Sequence, residues 1–143
     1  MDFPVSKRID IDIRDRVLTQ DFKYKLPIGD GKGWWNGKML HIKKGFTWDG
    51  ASIPAVFWSV IGSPFSGRYA VAAIAHDALY CSEWIARSDA DWIFLEIMEA
   101  CGCWWITRNI IYSAVRIGGG IIWSNHKRED VKEARRLITL QWR

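Results

Sequence analysis

The sequence predicts an α+β domain: an N-terminal antiparallel β meander followed by a helical hairpin and two further helices. Three observations predict it. Apolar residues alternate with polar ones through the first 45 residues, they recur at helical spacing from about residue 68 onward, and glycine- and proline-rich turn signals separate the blocks. A chain of 143 residues fits one domain, 1–143, and buries close to ~70% of the surface its unfolded form exposes, so it needs neither disulfide nor structural metal to fold.

Taken in order, Ile9, Ile11 and Ile13 alternate with Arg8, Asp10, Asp12 and Arg14, as in a strand with one buried face. Phe22, Tyr24 and Leu26 alternate with Asp21, Lys23 and Lys25 in the same way, and residues 27–33, with one proline and three glycines, form a hairpin loop. Residues 34–43 give a further strand that ends at Gly45, completing a meander over 1–45. Pro54 then opens a loop with a short helix over 46–67, the bulky Val56, Phe57, Trp58, Val60 and Ile61 clustering before Gly62-Ser63-Pro64. Residues 68–101 form the hairpin. Its first helix runs from Arg68 to Tyr80 or Cys81, and its second starts with Ser88 as N-cap and carries Phe94, Leu95 and Met98 on one stripe. So short a connector makes the two helices antiparallel. In 102–143, a third helix spans 104–117 and stops at Gly118-Gly119-Gly120, and a last amphipathic helix spans 125–140 through Val131, Ala134, Leu137 and Ile138.

Bulk composition narrows the function. The net charge is +4, but Glu129, Asp130 and Glu133 interleave with the C-terminal Lys127, Arg128, Lys132, Arg135 and Arg136, which reads as a solvated helix face and gives no specific nucleic-acid surface. Ten tryptophans are core or rim residues first, although Trp also suits boundaries between apolar and wet surroundings. Three cysteines, Cys81, Cys101 and Cys103, lack a disulfide framework or zinc spacing and point to a reduced, cytosolic setting. The N-terminus has no apolar signal-peptide core, and the most apolar run, 106–123, is interrupted by Arg108, Asn109 and Arg116. The expectation is a soluble protein with no transmembrane helix and peripheral membrane contact at most.

The residues that suggest chemistry are His76, Asp77 and Tyr80, set among alanines in the first hairpin helix. His76 and Tyr80 share a helix face with Tyr69, Ala72 and Ala73, while Asp77 lies at its edge. Asp91, in the first turn of the next helix, falls at a similar height in an antiparallel hairpin. A carboxylate accepting from one imidazole nitrogen fixes the tautomer and lets the other take a proton from water. Asp77, with backbone carbonyls of the turn-rich Trp48-Asp49-Gly50-Ala51-Ser52, provides oxygens of the kind calcium accepts, Gly50 permitting unusual dihedrals. Structural readings stand beside each. His76 also suits a satisfied core histidine, Asp91 and Asp89 suit capping of a helix N-terminus, Asp49-Gly50 is an ordinary turn pair, and Tyr80 packs in any case.

Two resemblances add to this. The run Phe46-Thr47-Trp48-Asp49-Gly50-Ala51-Ser52-Ile53-Pro54, then Phe57-Trp58, Gly62-Ser63-Pro64-Phe65, His76-Asp77, Tyr80, Asp91 and Phe94 resembles a domain of unknown function, number 1353, associated with phages and prophages. That resemblance implies phage origin without supplying a reaction. More locally, His76-Asp77-x-x-Tyr80 followed by Asp91-x-x-Phe94 looks like the active-site helices of phospholipase A2 enzymes, above all the short prokaryotic type. This second resemblance implies that His76 activates water, Asp77 binds calcium with Trp48, Gly50 and Ser52 of a calcium loop, and Asp91 and Tyr80 hold His76. Ala51 and Ala73 stand where that family carries a disulfide, the interval from Gly50 to His76 is longer, and the helix connector is shorter. The expectation is therefore a phage-encoded, calcium-dependent hydrolase acting on phospholipid or another ester, in the host cytoplasm or carried in the virion. The alternative is a non-catalytic virion or tail-assembly protein, bound to other phage structural proteins, whose His-Asp-Tyr cluster locks the helical hairpin.

Overall fold

The computed structural model describes residues 11–12, 17–27, 33–47 and 68–142. Strands β1 (Ile11–Asp12) and β2 (Val17–Leu18) pair antiparallel, with Ile11 opposite Leu18. A second antiparallel sheet has the order β3 (Phe22–Lys25), β4 (Met39–Ile42), β5 (Ile138–Gln141), so the last strand of the chain lies beside the central one. Tyr24 faces Leu40 across one pairing and Leu40 faces Leu140 across the other. The period-two pattern predicted for β3 is present: Phe22 and Tyr24 are buried, Lys23 and Lys25 exposed.

Among the described residues four helices follow the N-terminal strands: α1 (Arg68–Ser82), α2 (Arg87–Ala100), α3 (Trp105–Ser124) and α4 (Arg128–Leu137). The arrangement is the α+β fold that the hydrophobic periodicity predicts. Every residue from 70 to 80 is buried, which makes α1 the central helix. A helix rich in alanine is thin enough to be enclosed on all sides, and α2, α4 and β5 pack around it. On its far side α2 packs against α3.

The junction after α1 shows how the C-terminal third closes over the hairpin. The helix's last carbonyls have no partner within it, and Arg135 of α4 supplies donors: Nε to Ser82 O at 2.7 Å and Nη2 to Glu83 O at 3.1 Å. The same guanidinium lies over the Trp84 ring, whose Nε1 donates to Ile138 O at 2.7 Å. Glu83 turns the chain with φ of 48°, a left-handed conformation that costs a residue with a Cβ. Glu83→Gly is expected to raise the unfolding free energy by about 0.5–1 kcal/mol, since the Glu83–His126 contact it removes is long, at 3.6 Å. Chemical denaturation of the two proteins checks this.

The structure departs from the sequence expectations at four boundaries. The strand expected over 34–43 shrinks to Met39–Ile42, because Asn36 donates back to Gly33 O through both its backbone and its side chain and Gly37 takes a φ of 71°, which curls the segment into turns. Ser88 is not the N-cap of α2: Ala86 occupies that position without a side-chain bond, and the helix begins at Arg87. The third helix does not stop at Gly118-Gly119-Gly120 but runs through them to Ser124, since packing on α2 outweighs the roughly 1 kcal/mol each glycine costs. The last helix ends at Leu137, and the β-branched pair Ile138-Thr139 turns into a strand because Ile138 and Leu140 find partners in Ile42 and Leu40. The short helix expected after Pro54 lies outside the described residues.

Among the described residues no helix is long and apolar enough to cross a membrane. The outer face of α3 is nonetheless apolar: Ile110, Ile117 and Ile121 are 50%, 84% and 69% exposed. Of the tryptophan pairs, Trp34 is exposed while Trp35 is buried against Trp92, and Trp104 and Trp105 are both exposed. Cys101 and Cys103 are buried thiols of the core.

Candidate active site

The candidate site forms where α1, α2 and α3 meet, and its centre is Asp91. The carboxylate is wholly buried, so each of its oxygens needs partners from the protein. One oxygen serves α1: Oδ1 lies 2.8 Å from His76 Nε2 and accepts from the Tyr80 hydroxyl at 2.6 Å. The other serves α2 and α3: Oδ2 accepts from Arg116 Nη1 at 2.8 Å and more distantly from Arg87 Nη1 at 3.5 Å. His76 and Tyr80 occupy adjacent turns of one face, so a single acceptor one helix away can reach both. The predicted trio His76, Tyr80 and Asp91 is thus brought together.

The ring of His76 is enclosed by aromatic faces, with Phe94 at 4.5 Å and near-parallel, and Tyr80 at 4.3 Å and tilted. Trp123 of α3 meets Tyr80 edge-on at 5.2 Å. These contacts fix the imidazole in rotation as well as position. Asp77 follows His76 in the helix and is also buried, at 5% exposure. The other predicted calcium ligands, Trp48, Gly50 and Ser52, lie outside the described residues. Among the described residues no three His, Cys, Asp or Glu side chains are grouped to hold a metal ion.

The environment sets the protonation of each group. Burial holds the His76 imidazole below its ordinary 6.5, with the Asp91 bond and charge pulling the other way. Burial would raise the Asp91 carboxyl, but hydrogen bonds from His76, Tyr80 and Arg116 outweigh it and keep it below its ordinary 3.8. Burial and the neighbouring Asp91 lift the Tyr80 hydroxyl well above its ordinary 10.0, so it remains a donor. The favoured state is a neutral imidazole with its N–H directed at an ionised Asp91.

A pH dependence of stability follows. A histidine whose folded pKa is depressed takes up a proton more readily when unfolded, so its contribution is lost as pH falls below about 6.5. An aspartate with a depressed folded pKa contributes above its ordinary 3.8, and that stability is lost as pH falls through the lower folded value. Both shifts act in the same direction. The unfolding free energy from urea titrations is expected to fall on acidification below about pH 6.5, with a slope approaching about 1.4 kcal/mol per pH unit for each proton. His76→Gln should flatten the upper part of that profile.

Three residues of the site were not singled out from the sequence. Arg87 lies one helical turn before Asp91, a spacing that marks an ion pair on one helix face and was available to read. Arg116 comes from α3, and no local pattern pairs it with α2. Gly119 is buried where a Cβ would collide with the Tyr80 hydroxyl and crowd Arg87 Nη1 at 3.3 Å. Asp89, a rival of Asp91 for the orienting role, instead accepts from Trp35 Nε1 at 3.3 Å in the first turn of α2.

Residues 17–115, more than half of the chain, match the family model described as a protein of unknown function, DUF1353. The chain belongs to the DUF1353 family. The DUF1353 match takes in His76, Asp77, Tyr80, Arg87 and Asp91, and ends one residue before Arg116. Among curated proteins this DUF1353 chain is similar to the uncharacterized protein y4jT of Sinorhizobium fredii (strain NBRC 101917 / NGR234), 40% identical over 75 residues. That alignment covers 52% of this chain and 20% of the relative, so the shared stretch is about a fifth of the longer protein. No solved structure matches the chain.

Proposed function

We propose that this chain is a phage-encoded, calcium-dependent ester hydrolase of the phospholipase A2 type, with His76 as general base. The observation that carries the reading is the shared acceptor: one oxygen of a buried carboxylate receives both His76 Nε2 and the Tyr80 hydroxyl, at 2.8 Å and 2.6 Å. That geometry is the orienting half of a base-and-orienter pair. In this reading the imidazole, oriented by Asp91 through Nε2, takes a proton from an attacking water, and the carboxylate stabilises the imidazolium so formed. The aromatic faces of Phe94 and Tyr80 hold the ring in line while the charge appears.

Asp77 fits the demand of a hard cation for a carboxylate oxygen, being buried beside the base in a helix of small residues. Trp48, Gly50 and Ser52 would complete the site. A calcium ion held there would supply a Lewis acid for the ester carbonyl and for the negative charge that develops on its oxygen. Phage origin, and action in the host cytoplasm or from the virion, rest on the family resemblance.

The test measures turnover of phospholipid vesicles and of a simple soluble ester, with calcium and with chelator. Wild type is expected to be active only with calcium, and His76→Gln to lose about 10²–10⁴-fold. Equal turnover by wild type and variant would remove the hydrolase reading.

A second reading is favoured by a different observation. His76 and Asp91 both have 0% exposure, and the four groups among the described residues that meet the carboxylate are all donors, an arrangement that also serves as a lock between helices. On this reading the chain is a non-catalytic virion or tail-assembly part, and its signature is an inactive wild type whose stability nevertheless depends on His76.

A further inference from the structure

Six of the eight large apolar side chains exposed among the described residues lie on α3 or at its start: Trp104, Trp105, Ile106, Ile110, Ile117 and Ile121. By helical spacing the four isoleucines fall within about 60° of one another, on the side of α3 opposite the buried Ile111, Val115 and Gly119. At their exposures the six side chains leave roughly 700 Å² of mainly apolar surface in water, more than the largest patch of an ordinary monomer and close to the ~800 Å² per partner of a standard stable interface.

The spacing of this stripe is self-complementary. A point between Ser113 and Ala114 is equidistant along the helix from Ile110 and Ile117, about 5 Å either way, and from Ile106 and Ile121, about 11 Å either way. A two-fold axis through that point, perpendicular to the helix, sets Ile106 against the partner's Ile121 and Ile110 against the partner's Ile117. Each pairing is then made twice, as an isologous contact requires. The small Ser113 and Ala114 fall where the two helices come closest, which lets them approach. Charge favours the same occupant. α3 has no acidic residue, and both of its arginines are turned back into their own chain: Arg108 reaches Cys103 O at 2.9 Å and Glu99 at 3.6 Å, and Arg116 reaches Asp91 at 2.8 Å. The helix therefore brings no free charge that would repel a second copy, and it lacks the free cations by which an interfacial helix holds anionic lipid.

We propose that two copies of this chain associate through an antiparallel pairing of their α3 helices about that axis. The inference rests on α3 alone and needs no turnover.

Sedimentation equilibrium of the full chain across roughly 1–100 μM, a range that includes the weakest affinity of a standard-size interface, reads the state of association. Wild type is expected at twice the chain mass. Ile117→Glu should weaken association at least about 100-fold, because it sets a charge against an apolar side chain at two places in the seam, while its circular dichroism stays that of wild type. Mixing reads the register. Ile110→Glu and Ile117→Lys are each expected to be monomeric, and their equimolar mixture to form a heterodimer, since the antiparallel pairing faces the new acid with the new base and leaves the other Ile110–Ile117 pair intact. Ile110→Glu mixed with Ile110→Lys should stay monomeric, whereas a parallel pairing would restore that mixture. A wild type that is monomeric throughout the range overturns the proposal, as does an Ile117→Glu variant that dimerises like wild type, or recovery in the second mixture instead of the first. A monomeric wild type that binds vesicles of anionic phospholipid, and loses that binding in Ile117→Glu, would overturn it by giving the face to a membrane surface.

Discussion

Asp91→Asn is expected to lower the unfolding free energy by about 3–5 kcal/mol, the loss typical when one member of a buried charge network is removed. The reason lies in the arithmetic of donors. His76 Nε2–H, the Tyr80 hydroxyl, Arg116 and Arg87 all point hydrogens at the carboxylate, two at each oxygen. An amide has one acceptor oxygen and one donating NH2, so either orientation sets NH2 against groups that also donate. With the NH2 toward Oδ2's place, Arg116 keeps its charge beside a buried donor. Turned round, it leaves the Tyr80 hydroxyl and His76 without an acceptor in an apolar pocket. Asp89→Asn, two residues earlier in the same turn, gives the contrast: it weakens one long bond to Trp35 and a favourable helix-end charge, and should cost about 0.5 kcal/mol. Urea unfolding of both variants makes the comparison. A cost below about 1 kcal/mol for Asp91→Asn would mean that the four donors have ready access to other acceptors, against the burial described.

The parts of this site that were legible in the sequence are those written within one element or across one tight connector. His76 and Tyr80 share a face by spacing alone, and the short link to the next helix sets Asp91 at their height. Strand β3 and helix α1 were readable for the same reason, as periodicity is a local property. What escaped depends on partners distant in sequence. Ile138-Thr139-Leu140-Gln141 carries a pattern that suits a helix end or a strand, and only the open side of β4 decides it. Arg116 comes from a helix whose register against α2 no spacing rule encodes. The three consecutive glycines were the most misleading signal, because their usual meaning in a chain is termination, whereas here at least one is demanded by a side chain 39 positions away.

That demand yields the other large effect. In an exposed helix, glycine to alanine stabilises by about 1 kcal/mol. For Gly119→Ala the sign is expected to reverse, with a net loss of about 1–3 kcal/mol, because the new methyl meets the Tyr80 hydroxyl, and Arg87 Nη1 lies only 3.3 Å away. Tyr80 cannot yield: its ring is held edge-on by Trp123 and against His76, and its hydroxyl is bound to Asp91. The next residue supplies the control. A Cβ on Gly120 would lie 3.8 Å from the Arg87 guanidinium carbon, an ordinary contact, so Gly120→Ala should show the usual helix gain of about 0.5–1 kcal/mol. A double-mutant cycle isolates the cause. If the hydroxyl is what excludes a side chain at 119, most of the cost of Gly119→Ala disappears when it is made in Tyr80→Phe, and the two substitutions couple by at least about 1 kcal/mol. Additive effects would mean that the glycine is tolerated by this helix and not required by the tyrosine.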